Sequence, residues 1–155
     1  MEWLINDAAP IFARICIVVI FPFSAIDKII NWPSALQQAN SSFLPGGPAL
    51  LVLAMIVEIV TPICIIFNWQ AGWAAFVLAG YCAVTALLYH NFWSYPRYWA
   101  SDSEGHSHVW DFFKNFAIVG GCLFIVLGSD LVSMVERDVP RVPTSTEDDF
   151  GARPS

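Results

Sequence analysis

Charged residues are scarce in this sequence, since Asp, Glu, Lys and Arg make up only 13% of its 155 residues. Hydrophobic residues make up 57%, and the mean hydropathy is +0.59. A chain this apolar is not an ordinary soluble domain, and its length leaves room for four membrane spans. Much of the net charge of −6 comes from acidic residues in or next to the C-terminal tail. We therefore expect no nucleic acid partner.

Paired cysteines and the common catalytic signatures are also missing. Each predicted span holds one cysteine, without a Cys-x-x-Cys pair, which excludes a disulfide-stapled extracellular domain and a zinc ribbon. Serine-nucleophile, phosphate-loop and dinucleotide signatures are absent. No basic segment precedes the first apolar run, so a cleaved secretory signal is not predicted. His106 and His108 form a His-x-His pair in a predicted loop, for which we expect no metal.

The longest apolar run, residues 49–67, carries one carboxylate near its middle, Glu58. About 20 apolar residues span the hydrocarbon core, so Glu58 is predicted to lie close to the bilayer midplane. An acid at that depth costs roughly 2.5 to 3.5 kcal/mol and should face other helices and have a partner. Pro62, four residues later, cannot donate the helical hydrogen bond that the Glu58 carbonyl would accept.

Two cations of the first predicted span, residues 11–30, are candidate partners for that acid. Arg14 and Lys28 fall on one helix face, and Arg14 is the slightly better partner by depth. With Glu58 they form a predicted intramembrane polar site. One interpretation is a proton- or quinone-handling site, in which the cation lowers the pKa of the acid and desolvation raises it. The other is a polar clasp that fixes how the helices pack.

A short interfacial helix is predicted in the first loop, before the break at residues 45–48. The third span, residues 71–89, follows so short a turn that it must be antiparallel to the second. Small residues recur every four positions along it, which predicts a ridge for close helix packing. That ridge consists of Ala71, Ala75, Ala79 and Ala83. Tyr81, Thr85 and Tyr89 follow the nearly opposite face, which is predicted to meet a second subunit or a ligand.

A long aromatic loop, residues 91–109, precedes the fourth span at residues 110–128. Polar and aromatic side chains near this end could line a quinone head-group pocket, because a quinone needs hydrogen-bond donors and flat apolar walls. They are Tyr89, His90, Trp93, Lys114 and Asn115. Alternatively, His90 only caps a helix C-terminus. Since His90 is the only histidine near a predicted span, bis-histidine haem ligation is not predicted.

The predicted fold is therefore all-α: an antiparallel up-down bundle of four transmembrane helices. Residues 1–132 form the membrane domain, and residues 133–155 form a polar acidic tail that is disordered beyond Pro140. An even number of spans places both termini on one side of the membrane. Lys and Arg are balanced between the two sides, so the orientation is not assigned.

Three stretches of the chain resemble the DoxX family of small four-helix membrane proteins. They are Arg14 followed by FPFSAIDK, Glu58 within VEIVTPICIIF, and HNFW at 90–93 followed by FKNFAIVGG at 113–121. Ala25 stands where the family usually has a glycine. The resemblance covers about residues 10–130. It implies association with membrane oxidoreductase systems, including quinone-linked thiosulfate oxidation and protection against oxidants.

These observations together predict an accessory or anchoring subunit of a quinone-linked electron-transfer complex in a bacterial inner membrane. Its partners would be the lipid bilayer and other membrane subunits of an oxidoreductase, and its ligand a quinone or bound lipid. No redox centre is visible, which argues against an autonomous enzyme. A purely structural or assembly protein, which presents the alanine ridge and the tail to partners, is the alternative. A small carrier for an apolar or weakly acidic solute is a third possibility, which the lack of obvious repeats does not favour.

Overall fold

The computed structural model describes residues 8–41, 44 and 46–138, with side chains described up to residue 129. All regular secondary structure in these ranges is helical. The helices are α1 (Ala9–Val18), α2 (Ile20–Ile30), α3 (Trp32–Ser41), α4 (Gly47–Ile66), α5 (Ala71–Tyr89) and α6 (Glu104–Asp138), with a short 3₁₀ helix at Phe92–Ser94. Within the described part of the chain, four segments are long and apolar enough to cross a membrane. The predicted all-α four-span fold is confirmed.

The first span is broken at Val19, which separates α1 from α2. Pro22 accounts for the break, because its nitrogen carries no hydrogen to donate to the Val18 carbonyl four residues earlier. The break is local, since Val19 keeps helical backbone angles and its N–H donates to the Ile15 carbonyl at 2.9 Å. The two pieces therefore act as one span, Ala9–Ile30.

The predicted helix in the first loop is α3, which packs against α4 and α2. The turn after α4 is tight, with Asn68 and Gln70 in left-handed backbone conformations (φ 57° and 51°). This turn reverses the chain, so that α5 runs antiparallel to α4 and then packs most extensively against α6. The core is small and lies between the helices, where Val18, Leu78, Cys82 and Cys122 are fully buried.

Helix α6, which contains the fourth span, is longer than the predicted span of residues 110–128. It begins at Glu104, so His106 and His108 lie on a helix and the predicted loop placement of both is wrong. Ser103 marks the start, because its Oγ accepts a hydrogen bond from the Gly105 N–H at 3.2 Å. The helix also continues to Asp138 through the first six positions of the predicted tail. The predicted disorder beyond Pro140 lies outside the described residues.

The outward faces of the spans carry large apolar side chains. Phe12, Phe23, Trp73 and Phe124 are between 68% and 79% exposed. Such exposure would be costly in water, whereas in lipid these side chains meet acyl chains. The bundle is therefore arranged as an integral membrane protein, with its few buried polar groups inside.

Candidate functional site

Glu58 lies inside the bundle and is only 3% exposed. Its carboxylate accepts hydrogen bonds from three side chains on two other helices. Lys28 Nζ lies 2.8 Å from Oε1 and 3.0 Å from Oε2, the Tyr81 hydroxyl donates to Oε1 at 2.7 Å, and the Ser24 hydroxyl does so at 3.1 Å. A buried carboxylate is tolerated only when its charge is balanced and its oxygens are hydrogen-bonded. Glu58 meets both conditions through these three partners. We call Glu58 together with Ser24, Lys28 and Tyr81 the Glu58 network.

Helical spacing explains why α2 supplies two members of the network. Ser24 and Lys28 are four residues apart, so both face α4 from adjacent turns. Lys28 Nζ also donates to Ser24 Oγ at 2.6 Å, which holds the ammonium in front of the acid. Tyr81 donates to Glu58 Oε1 from α5. The network therefore joins three helices at one point.

Arg14 does not contact Glu58, so the prediction that it would be the better partner is wrong. Its Nη1 instead donates to the Ile65 carbonyl, at 3.4 Å, in the last turn of α4. Helix carbonyls near a C-terminus lack helical partners and attract cations. Arg14 and Lys28 thus contact different parts of α4, and of the three residues in the predicted polar site the structure brings together only Lys28 and Glu58.

A cleft of about 560 Å³ opens beside the Glu58 network and is lined by residues of α2, α3, α4, α5 and α6. Phe21, Leu51, Val57 and Ile118 contribute apolar walls. Around its outer part the lining is polar, with Asp27, Asn31, Ser34, Gln38, Asp111 and Lys114. The cleft thus combines apolar walls with convergent polar groups, which is typical of small-molecule sites.

Four of the five residues predicted for a pocket line this cleft: Tyr89, His90, Lys114 and Asn115. Lys114 is ion-paired with Asp111 at 3.2 Å, and Asn115 Nδ2 donates to the Asp111 carbonyl at 2.8 Å. His90 also ends α5, where its backbone N–H donates to the Ala86 carbonyl at 3.1 Å. The predicted cap position and the predicted pocket position of His90 are therefore compatible.

Trp93 does not line the cleft, so its assignment to the pocket is wrong. The 3₁₀ turn at Phe92–Ser94 directs its ring into an aromatic cluster, 5.2 Å from the ring centre of Phe92 and 5.7 Å from that of Phe112. This cluster joins the loop before α6 to α6 itself. Trp93 therefore contributes to packing of the loop.

The alanine ridge packs inside this chain. Ala71, Ala75 and Ala79 are at most 5% exposed, and Ala83 is half-buried. The small side chains allow the helices that pack on α5 to approach it closely. The ridge is therefore not available to partner subunits, and that part of the structural alternative is wrong.

Three contributors to the site were not predicted as such. Ser24 and Tyr81 bind the Glu58 carboxylate, and His108 Nδ1 lies 3.4 Å from His90 Nδ1. Two of them carried a usable signal, since Ser24 precedes Lys28 by one helical turn and Tyr81 begins the polar stripe of α5. Within the described residues, no group of three or more His, Cys, Asp or Glu side chains is arranged to hold a metal ion.

The fold and the site together define a four-helix integral membrane protein with a charged network at an internal cleft. The family model for DoxX matches residues 9–91, which is more than half of the chain. The chain belongs to the DoxX family.

Two curated relatives extend the similarity over most of the chain. It is 24% identical over 128 residues to inner membrane protein YphA of Escherichia coli (strain K12), covering 82% of this chain and 88% of the relative. It is 25% identical over 133 residues to inner membrane protein YqjF of the same organism, covering 86% and 93%. No solved structure matches the chain.

Proposed function

We propose that this chain is an accessory or anchoring subunit of a quinone-linked electron-transfer complex and that its cleft binds the quinone head group. The proposal rests on one observation, the Glu58 network beside a cleft of about 560 Å³. Small-molecule sites of roughly 300 to 1,000 Å³ commonly combine apolar walls with a few oriented polar groups. The names of the two relatives support placement in a bacterial inner membrane.

The residues of the cleft fit the chemistry of a quinone. Its ring needs apolar walls, which Phe21, Leu51 and Ile118 supply, and its carbonyl oxygens need donors. At the inner end of the cleft Lys28 and Tyr81 donate to Glu58, so a quinone carbonyl would have to replace the carboxylate as acceptor of one of these hydrogen bonds. Amide groups of Asn31 and Gln38 lie in the outer lining. The outer lining thus offers amide donors to one end of a bound ring, and the inner end supplies a donor when one is released from Glu58.

Under this proposal Glu58 has one task, and its partners Lys28 and Tyr81 share another. A bound quinone supplies two-electron, two-proton chemistry, and its electrons come from a partner subunit. Lys28 and Tyr81 orient the head group by hydrogen bonding and favour negative charge near them. Glu58 is the group that holds and releases a proton at a carboxylate oxygen. Burial of Glu58 keeps this exchange away from lipid and bulk water.

A membrane lipid is the other candidate occupant of the cleft, and a purely structural clasp is the competing function. The network alone satisfies the requirements of a clasp, because it connects α2, α4 and α5. The size of the cleft favours a ligand, since a clasp needs no such space between the helices. Quinone binding separates these possibilities directly.

Binding is tested on the purified chain in lipid nanodiscs by titration with a short-tailed quinone and detection of tryptophan fluorescence quenching. We expect saturable binding to the native chain. Tyr81→Phe removes one donor and should weaken binding about tenfold, as expected for a hydrogen bond to a polar ligand group. Tyr98→Phe is the matched control, because Tyr98 packs on Phe92 in the loop, with ring centres 5.2 Å apart.

Turnover is tested in native membranes with Glu58→Gln, which keeps the shape of the side chain but cannot exchange a proton. We expect quinone-dependent turnover to fall while the complex still assembles. Asp102→Asn is the control, because this acid is exposed in the loop and pairs with Arg97. Normal turnover in Glu58→Gln, or no saturable quinone binding to the native chain, would contradict the proposed function.

A further inference from the structure

Two histidines face each other at the edge of the cleft, which His90 lines and His108 does not. His90 directly follows α5, and His108 lies in the second turn of α6. Their Nδ1 atoms are 3.4 Å apart, and their ring centres are 5.7 Å apart. For a hydrogen bond across this distance, one Nδ1 must carry the hydrogen and the other must offer its lone pair. Such a pair shares a single proton, and histidine is the side chain that exchanges protons near neutral pH.

Both rings are half-buried and held by neighbouring groups. Tyr95 stacks on His108, with ring centres 4.8 Å apart and planes inclined by 20°. His90 is fixed by its position at the end of α5. The pair is therefore a fixed feature that joins two helices and remains partly accessible to water.

His90 lines the same cleft as Glu58, and polar residues of α5 lie between the two. Tyr81, Thr85 and Tyr89 follow one another at intervals of four residues and all line the cleft. Thr85 lies beside the Tyr81 hydroxyl, which in turn donates to Glu58. From Tyr81 to His90 the helix rises about 13 Å. A proton crossing this distance needs intervening water, for which a cleft of this volume has room and the hydroxyl groups in its lining offer partners.

The charges around the histidine pair come mainly from α6. Asp111 and Lys114 of α6 line the cleft together with His90, and they form an ion pair at 3.2 Å. Asp27 and Lys28 of α2 and Glu58 of α4 line the same cleft, and the loop contributes Tyr95. Charges of both signs thus lie close to His90, and clusters of interacting titratable groups are common at functional sites.

We propose that the His90–His108 pair is a proton port that exchanges protons between water outside the cleft and Glu58 inside it. In the inward direction the pair first takes up one proton from solvent and becomes positively charged. An N–H bond of the charged pair then breaks, its electrons stay on the ring nitrogen, and the proton passes through water and hydroxyl groups to a carboxylate oxygen of Glu58, which leaves the pair neutral. No electrons move in this step. The inference deepens the proposed function because it concerns the same cleft, but the exchange itself requires no quinone.

The test uses the full chain in lipid nanodiscs and a light-triggered pH jump from a caged proton. Time-resolved infrared spectroscopy follows the carbonyl stretch of the protonated Glu58 carboxyl group, which is assigned by its absence in Glu58→Gln. We expect protonation of Glu58 to be about a hundredfold slower in the double variant His90→Ala/His108→Ala, the lower end of what a positioned proton donor contributes. Added imidazole should restore much of the rate, which a merely structural role of the pair would not predict.

His106→Gln is the matched control. It removes an imidazole from the first turn of α6, two residues before His108, but His106 accepts a hydrogen bond from Trp110 Nε1 at 3.1 Å and does not line the cleft of Glu58. The rate of Glu58 protonation in this variant should equal that in the native chain. The single variant His90→Gln, which keeps a polar side chain at the helix end, provides a second measurement if the double variant folds poorly.

An unchanged rate in the histidine variants, a slow rate that imidazole does not restore, or the lack of any titratable Glu58 band in the folded chain would overturn the proton port. These outcomes differ from failure of the proposed function, which is decided by quinone binding. If the native chain binds no quinone but imidazole restores Glu58 protonation in the histidine variants, the proton port would be supported and the proposed quinone site contradicted.

Discussion

The two ends of the bundle are built from the same four spans but pack in different ways. At the closed end, near Ile65 and Ala71, a Cβ at Gly72 would collide with the Ser129 side chain. A Cβ at Gly47 would likewise collide with the Asn40 side chain between α3 and α4, so close approach at glycine is common to both ends and the cleft is what distinguishes them. At the open end, α3 lies against α4, and the cleft separates α2 from α6. Small residues let helices approach closely in lipid, whereas polar side chains around a cleft hold helices apart and solvate one another.

Each end of the bundle relies on a different kind of interaction. At the closed end, helix contacts are made by glycine, alanine and one arginine that binds a backbone carbonyl. At the open end, most polar contacts join side chains to one another, as between Lys28 and Glu58. The closed end therefore supports the bundle by close packing, and the open end carries the groups to which we assign proton exchange and ligand binding. Substitutions at each end should accordingly have different consequences.

The largest effect on stability is expected from Lys28→Met, which removes the cation beside a carboxylate that is 3% exposed. The free energy of unfolding should fall by about 3 kcal/mol, because a buried charge would be left without its partner. Denaturation by SDS in mixed micelles measures the loss. Lys114→Met is the matched control, since the Lys114 side chain is 67% exposed and its pair with Asp111 should contribute little. Equal stability of the two variants would show that the Lys28–Glu58 pair is not an essential contact.

Most of the fold follows from the sequence because apolar runs of about 20 residues have few alternatives in lipid. The pairing of Glu58 was harder to predict. Counting residues from the span ends predicts the depth of a side chain in the membrane. It predicts neither the rotation of each helix about its axis nor the break at Val19, and it therefore favours Arg14 over Lys28. The predicted position of Trp93 is wrong for a similar reason. The chain direction after α5 is set by a 3₁₀ turn, which leaves no periodic pattern in the sequence.

A smaller loss of stability is expected from Ala75→Phe, which tests close packing by α5. Ala75 is fully buried, so a phenyl ring would force the helices that pack on α5 apart. Overpacking of this kind should lower the free energy of unfolding by about 2 kcal/mol. Val77→Phe is the control on the same helix, because Val77 is 48% exposed and its added ring would enter lipid. If both variants were equally stable, close packing around Ala75 would not be limiting.

The smallest effect on stability is expected from Arg14→Gln. This variant tests whether the closed end can be changed without affecting the Glu58 network. Arg14 donates to the Ile65 carbonyl at 3.4 Å, so loss of its charge should cost about 0.5 to 1 kcal/mol, as for other cations at helix C-termini. Arg14→Lys keeps the charge and should recover part of that loss. Because Arg14 does not line the cleft, quinone affinity and the rate of Glu58 protonation should both remain at their native values in Arg14→Gln. A change in either quantity would mean that the closed end sets the geometry of the Glu58 network through α4, and the separation of roles between the two ends would then be wrong.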